Sequence, residues 1–204
     1  MAEDFSCGLV LLAAGASRRM GRPKQLLPVA GQPLLRHVVE QTLAAPVSRV
    51  IVVLGAYAET IAPVLADLPV QIALNEDWAS GMGSSVRKGL QQLMVGTPAA
   101  TAVIIALADQ PDCPADHFRR LVETQRTTGH SIIASTAGGV TGPPALFTAE
   151  WFPRLLTLRG DAGARMLLQE QQGALGLVPL AGASDLDTPA DYELFLRDPA
   201  RPAG

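Results

Sequence analysis

The stretch CGLVLLAAGASRRMGRPK (residues 7–24) decides the fold. Its first half, 7–13, is apolar without alternation, which is how a strand buried on both faces of a parallel sheet reads. The run then breaks into Ala13, Ala14, Gly15, Ala16 and Ser17, followed by Arg18, Arg19, Arg22 and Lys24. In an open parallel sheet, a loop that follows a strand lies at the carboxyl edge, where ligands bind. Small residues let an oxygen anion approach the backbone N–H groups, and the cations neutralise it. A triphosphate uses both features, whereas the alternative is a solvated basic turn.

Further apolar runs recur at 49–55, 70–74 and 101–108, all read as strands buried on both faces. Helical patterns lie between them. Leu34, Leu35, Val38, Val39 and Leu43 share one face, as do Val86, Leu90, Leu93 and Met94. The alternation continues with a helix over 114–126, a strand over 131–135, short helices near 148–156 and 161–170, a strand over 174–180 and a helix over 189–196. This predicts an α/β fold: a doubly wound, mostly parallel, Rossmann-like sheet with helices on both faces. The Gly/Pro-rich segment 136–147 interrupts the pattern and reads as a loop or hairpin at the sheet edge over the ligand side. The tail 198–204 reads as frayed.

The 204 residues, 48% of them hydrophobic, suit a single domain spanning 1–204. A net charge of -3 gives no basic face for nucleic acid or anionic membranes. No apolar run approaches the ~20 residues that span a bilayer, and residues 1–8 are acidic rather than signal-like, so a cytoplasmic location is expected. Cys7 and Cys113 have no CxxC or zinc spacing. Both read as structural thiols, Cys7 in the core and Cys113 in a loop where it could be exposed. His37, His117 and His130 have no Ser or Cys partner at a recognisable spacing and read as structural or solvated, His117 among polar helix residues.

Two familiar phosphate loops fail here. The pattern GxxxxGK[ST] needs a closer glycine pair and a Lys after the second; Gly15 and Gly21 are six apart, and Arg22 follows. The dinucleotide fingerprint GxGxxG fails because Arg and Met stand where its helix would start, and Pro23 and Pro28 oppose a helix there.

The segment LAAGASRRMGRPKQLLPVAGQPLL resembles, without a gap, the signature LAAGxSxRMGxxKxLxxxxGxxLL of the MobA-like nucleotidyltransferases. NEDWASGMGSSVRKGL, LADQP, GPPALF, LRGDAGAR and DLDTPADY follow in the family's order, so the resemblance covers nearly the whole chain. The most similar subgroup is that of molybdenum cofactor cytidylyltransferases, which transfer CMP from CTP to molybdopterin and release pyrophosphate. The resemblance implies catalytic roles for Arg19, Lys24 and Asp109. Lys24 would meet the α-phosphate and Arg19 the β/γ end, over a loop formed by Ala13, Ala14, Gly15, Ala16 and Ser17. It implies Mg²⁺ held by Asp109 and Asp187, and a nucleotide pocket closed by Asn75, Ser84 and Ser85. On the acceptor side it implies Gly142, Pro143, Arg159, Asp161 and Arg165.

The residues leave plainer alternatives open. An unpaired carboxylate at the end of an apolar strand, as at Asp109, is costly unless it binds something. Asp187 or Thr188 could cap the helix that starts at Pro189. Ser84 and Ser85 could be ordinary N-caps, and Arg165 surface charge. Many relatives have His at position 143, so its replacement by proline touches the acceptor's identity. The resemblance further implies CTP over GTP, since guanylyl-transferring members of the family have LAGG where this chain has Ala13, Ala14 and Gly15, and a GP-type turn where it has GMGSSV. The resemblance also implies a molybdenum hydroxylase or its chaperone as partner. Rivals are another transferase on this scaffold, guanylyl transfer included, and a non-catalytic molybdenum cofactor chaperone.

Overall fold

The computed structural model describes residues 5–161, 163–182 and 185–197. The tail 198–204 lies outside them. Among the described residues, a seven-stranded sheet is built from β1 (Cys7–Leu12), β4 (Val50–Leu54), β5 (Gln71–Leu74), β6 (Ala102–Leu107), β7 (Ile132–Ala137), β8 (Val140–Thr148) and β9 (Gly176–Pro179), with spatial order β5-β4-β1-β6-β8-β7-β9. β8 alone runs against its neighbours. β2 (Pro28–Val29) and β3 (Gln32–Pro33) form a separate small hairpin.

Alternate residues of each central strand serve opposite cores. Leu9 and Leu11 of β1, Val52 and Leu54 of β4, and Ile104 of β6 face one way. They meet α1 (Leu34–Leu43), α4 (Ala115–Thr128) and α7 (Pro189–Arg197) through Leu34, Leu35, Val38, Val39, Phe118, Leu121 and Phe195. α2 (Ala58–Ile61) closes the same side with Ile61. Val10, Leu12, Ile51, Val53, Val103 and Ile105 face the other way, onto α3 (Met82–Met94), α5 (Phe152–Leu155) and α6 (Arg165–Glu170). Each fully buried Leu or Val contributes roughly 1.5–3 kcal/mol relative to exposure, which is why strands enclosed on both faces cannot alternate with polar residues. α3 lies directly on the sheet, because a Cβ at Gly89 would run into Val10 Cγ1.

Four expectations need correction. β5 is an edge strand, with only Ala73 of its four residues buried, since no strand lies beyond it. Met94 is exposed, one position past the last buried turn of α3. The Gly/Pro-rich segment does form a hairpin strand, but β8 sits inside the sheet, between β6 and β7, and not at its edge. Cys113 is buried, with its thiol pushed up to about 12 by burial first and by Asp112 second.

The sheet also creates a crevice. β6 pairs with β8 only as far as Ile105↔Ala145, whereas β7 and β8 stay paired, across a register shift at Ala134/Ser135, out to Ala137↔Val140. Two consecutive prolines, which have no N–H for a ladder, stand at that shift. Beyond it, β6 and the β7–β8 hairpin part company at the carboxyl ends of β1 and β6.

Candidate active site

The crevice opens into a cavity of about 1060 Å³. That is at the upper end of the roughly 300–1,000 Å³ usual for small-molecule pockets. One wall is the loop after β1. Its carbonyls are consumed internally: Gln25 Nε2 donates to Ala13 O (2.9 Å) and Gly15 O (3.0 Å), Ala56 N to Ala14 O (3.0 Å), and Met20 N to Ser17 O (3.0 Å). Ser17 takes a left-handed φ of 51°, and its hydroxyl accepts from Lys24 N at 3.1 Å. These bonds occupy the carbonyls of Ala13, Ala14, Gly15 and Ser17, in a wall of the cavity lined by Ala13, Ala14, Gly15, Ala16, Ser17, Arg18, Arg19 and Lys24.

Gln25 escaped the sequence reading. It is buried, and a buried amide must be hydrogen-bonded, here to the loop it organises. Its place between Lys24 and an apolar pair was the single available signal. Arg18 reaches the cavity wall and Arg22 does not.

Below the loop, the carboxylates converge. Asp109 follows β6, and Leu186 N donates to Asp109 O at 3.0 Å, tying the segment before α7 to that strand end. Thr188 and Asp191 cap α7 reciprocally, with Thr188 N to Asp191 Oδ2 at 2.7 Å and Asp191 N to Thr188 Oγ1 at 3.2 Å. Asp187 is thereby free of capping. Lys24 Nζ lies 2.6 Å from Asp109 Oδ2 and 2.8 Å from Asp187 Oδ1, and Arg19 reaches Asp187 Oδ2 at 2.7 Å. Asp109 Oδ1 is buried and has no hydrogen-bond partner.

These neighbours set the protonation states. Burial would lower the Lys24 ammonium, but Asp109 and Asp187 beside it outweigh that and raise it. Burial would raise Asp187, yet Lys24 and Arg19 hold it below the usual carboxylate range. At Asp109 burial wins over Lys24, and the carboxyl is pushed up.

The other sequence candidates divide. Ser85 lines the cavity beside Trp78, Gly81 and Met82. Asn75 and Ser84 stand behind that wall: Asn75 Nδ2 donates to Ser84 Oγ (2.8 Å) and Ser85 Oγ (3.0 Å), so it holds Ser85 in place. Neither serine is the N-cap of α3, which is Gly81. Gly142, Pro143, Asp161 and Arg165 line the far half of the cavity, whereas Arg159 does not. The 158–161 backbone is pressed onto the start of α3, with Gly83 N donating to Gly160 O at 2.9 Å and Arg87 bonding Leu158 O. Ala137, Val140, Leu168 and Leu180 make this half apolar, which the sequence did not reveal.

A loop of small residues and cations at the carboxyl edge of a mostly parallel sheet, facing paired carboxylates, defines the class: an α/β nucleotidyltransferase. Within that class the chain belongs to the MobA-like NTP transferase family, whose sequence model matches residues 9–175. It is 35% identical to nicotine blue oxidoreductase of Paenarthrobacter nicotinovorans, over 90% of each chain. It is 34% identical to purine catabolism protein PucB of Bacillus subtilis (strain 168), over 92% of this chain and 95% of that one. Among solved structures, Rv0371c of Mycobacterium tuberculosis H37Rv superposes with TM-score 0.85 at 27% identity, over 96% of this chain and 100% of that one. The same protein is also known as a manganese complex, with TM-score 0.80 and 26% identity, over 95% of this chain and 99% of that one.

Two carboxylates with a buried, unpartnered oxygen suit a hard divalent cation, although among the described residues no three His, Cys, Asp or Glu side chains cluster as a complete ligand set. Substrate phosphates would have to supply the remaining ligands. No helix of the described residues is long and apolar enough to cross a membrane.

Proposed function

We propose that the protein transfers CMP from CTP to molybdopterin or the molybdenum cofactor, giving the cytosine dinucleotide form and pyrophosphate, with Mg²⁺ as cofactor. The observation that carries this reading is the meeting of Lys24, Asp109 and Asp187 beside the small-residue loop after β1, in a cavity of about 1060 Å³. In this reading the loop N–H groups and Arg19 hold the β- and γ-phosphates, and Lys24 steadies the α-phosphate. Asp109 and Asp187 would hold Mg²⁺, whose charge would offset that of the phosphates. Gly142, Pro143, Asp161 and Arg165 orient the acceptor against the apolar wall.

An acceptor phosphate oxygen attacks the α-phosphorus in line. The bond to the β-phosphate oxygen breaks, and pyrophosphate leaves with the electron pair, so no covalent enzyme intermediate forms. Positioning and charge neutralisation are what these residues supply.

A molybdenum hydroxylase or its chaperone is the proposed recipient. The name of the relative in Paenarthrobacter nicotinovorans is that of an oxidoreductase, but here the first loop has no dinucleotide fingerprint. The test is pyrophosphate release from CTP and molybdopterin, together with thermal shifts in CTP, GTP, ATP and NADPH, each with and without Mg²⁺. Release with CTP, and the largest shift with CTP plus Mg²⁺, supports the reading. A larger shift with GTP overturns the choice of nucleotide, and a shift with NADPH alone overturns the reaction class.

A further inference from the structure

The partners of Lys24 bear on how a metal enters the site. Of the four carboxylate oxygens of Asp109 and Asp187, Lys24 Nζ takes one from each residue, and Arg19 takes a third. The ammonium thus occupies the space in which a cation ligated by both carboxylates would have to sit. Its contacts of 2.6 and 2.8 Å are longer than the about 2.0–2.1 Å of Mg²⁺ to oxygen, so the carboxylates stand apart by the width of an ammonium. The fourth oxygen, Asp109 Oδ1, remains buried and unmatched. A single positive charge with three N–H groups does not complete this pair.

Two features make Lys24 displaceable. Its backbone is fixed by Ser17 and its neighbour Gln25 is buried, but the four-carbon stem can redirect Nζ without moving the loop. The side chain also lines the cavity beside the small-residue loop 13–17 and Arg19, so a polyanion bound there offers it other oxygens.

We propose that Lys24 is a built-in stand-in for the divalent cation, and that the metal enters this site only when a nucleoside triphosphate draws Lys24 off Asp109 and Asp187. The inference rests on the nucleotidyl-transfer reading above. By linkage, the metal strengthens nucleotide binding by the factor by which nucleotide strengthens metal binding.

The test is a titration of Mn²⁺ into the full chain without nucleotide, free Mn²⁺ being read by electron paramagnetic resonance. Wild type is compared with Lys24→Met, Lys24→Gln and Arg22→Met, and a thermal midpoint for each confirms folding. Lys24→Gln keeps the first half of the stem and a hydrogen-bonding head, and carries the comparison if Lys24→Met does not fold. The expected result is one Mn²⁺ bound at least ~10-fold more tightly by the Lys24 variants than by wild type. Arg22→Met, which removes an exposed cation of the same loop, should match wild type, and adding Asp109→Asn to Lys24→Met should abolish the gain. Equal affinity in wild type and the Lys24 variants, or an equal gain in Arg22→Met, overturns the stand-in while CTP-dependent pyrophosphate release persists. No Mn²⁺ binding by any variant, together with no pyrophosphate release from CTP by wild type, overturns both readings.

Discussion

His117 Nε2 lies 2.7 Å from Ser135 Oγ, and both side chains are buried. Ser135 Oγ in turn donates to Pro144 O at 2.5 Å, so the imidazole must be the donor to Ser135 and is neutral at Nδ1, which has no partner. The pair sits at the register shift where β8 leaves β6. It restores a hydrogen bond to a carbonyl beside the two prolines, and thereby fixes the wall that carries Gly142 and Pro143.

This pair predicts an acid-labile fold. Burial, and then the charge of Arg120, hold the His117 pKa down at about 4, against 6.5 for a free side chain. The unfolded chain therefore binds the proton first, and stability falls as pH drops from about 6.5 towards about 4. The full loss amounts to about 3 kcal/mol. His117→Gln should be less stable than wild type near neutral pH, and the gap should narrow on acidification through this window. Urea unfolding of both proteins from pH 7.5 to 4.5 checks it; a gap that stays constant shows that His117 does not titrate there.

Asp109 and Lys24 should be needed for turnover more than for folding. Asp109→Asn keeps the shape but removes the charge that both Lys24 and a metal use. Lys24→Ala removes the donor proposed for the α-phosphate. Each should lower pyrophosphate release from CTP and molybdopterin by about 10²-fold or more. Both variants should still unfold cooperatively. Retained turnover in either would remove the site from the chemistry.

Thr188 links stability to the position of Asp187. Its hydroxyl and Asp191 close the first turn of α7 reciprocally, which leaves Asp187 to Lys24 and Arg19. Thr188→Ala should destabilise the protein by about 1 kcal/mol. It should also lower turnover, because Asp187 is drawn towards the exposed helix end. If denaturation shifts but kcat does not, the cap is structural alone.

Gly81 has a φ of 107°, and a Cβ there would collide with Gly160 and come within 2.7 Å of Asp161 Oδ1. Gly81→Ala should therefore cost about 1–3 kcal/mol and push the 158–161 segment off α3. Turnover and thermal midpoint should fall together. The two glycines of GMGSSV both serve this close approach of backbones, Gly81 against Gly160 and Gly83 against Leu158 and Arg159.

What could be read from sequence followed from chemistry local to a few residues. β1, β4 and β6 were legible because burial on both faces admits no polar position. Asp109 was legible because a carboxylate at the end of such a strand demands a partner. The edge position of β5 was not, since VQIAL looks the same whether or not another strand lies beyond it. Nor were Gln25, His117 and Cys113, whose burial depends on segments brought together from far along the chain. By residue type Arg18, Arg19, Arg22 and Lys24 looked alike, and the family resemblance alone singled out Arg19 and Lys24. Only the folded chain sets Lys24 and Arg19 on carboxylates, turns Arg18 to the cavity and leaves Arg22 outside it.

Gly15 separates binding from folding. It lines the cavity, a Cβ there would meet nothing within 4 Å, and its backbone is not left-handed. Gly15→Ala should thus leave stability within about 0.5 kcal/mol of wild type. The added methyl would stand beside the donors that a phosphate must approach closely, and every charge-assisted hydrogen bond it prevents would weaken binding by about 1.5–3 kcal/mol. The expected outcome is an unchanged thermal midpoint in the absence of nucleotide, with affinity for CTP reduced by ~10-fold or more. Arg22→Ala, outside the cavity, should leave both measurements near wild type. Undiminished CTP binding by Gly15→Ala would mean that the nucleotide phosphates lie elsewhere in the cavity, and the roles of Arg19 and Lys24 would have to be reassigned with them.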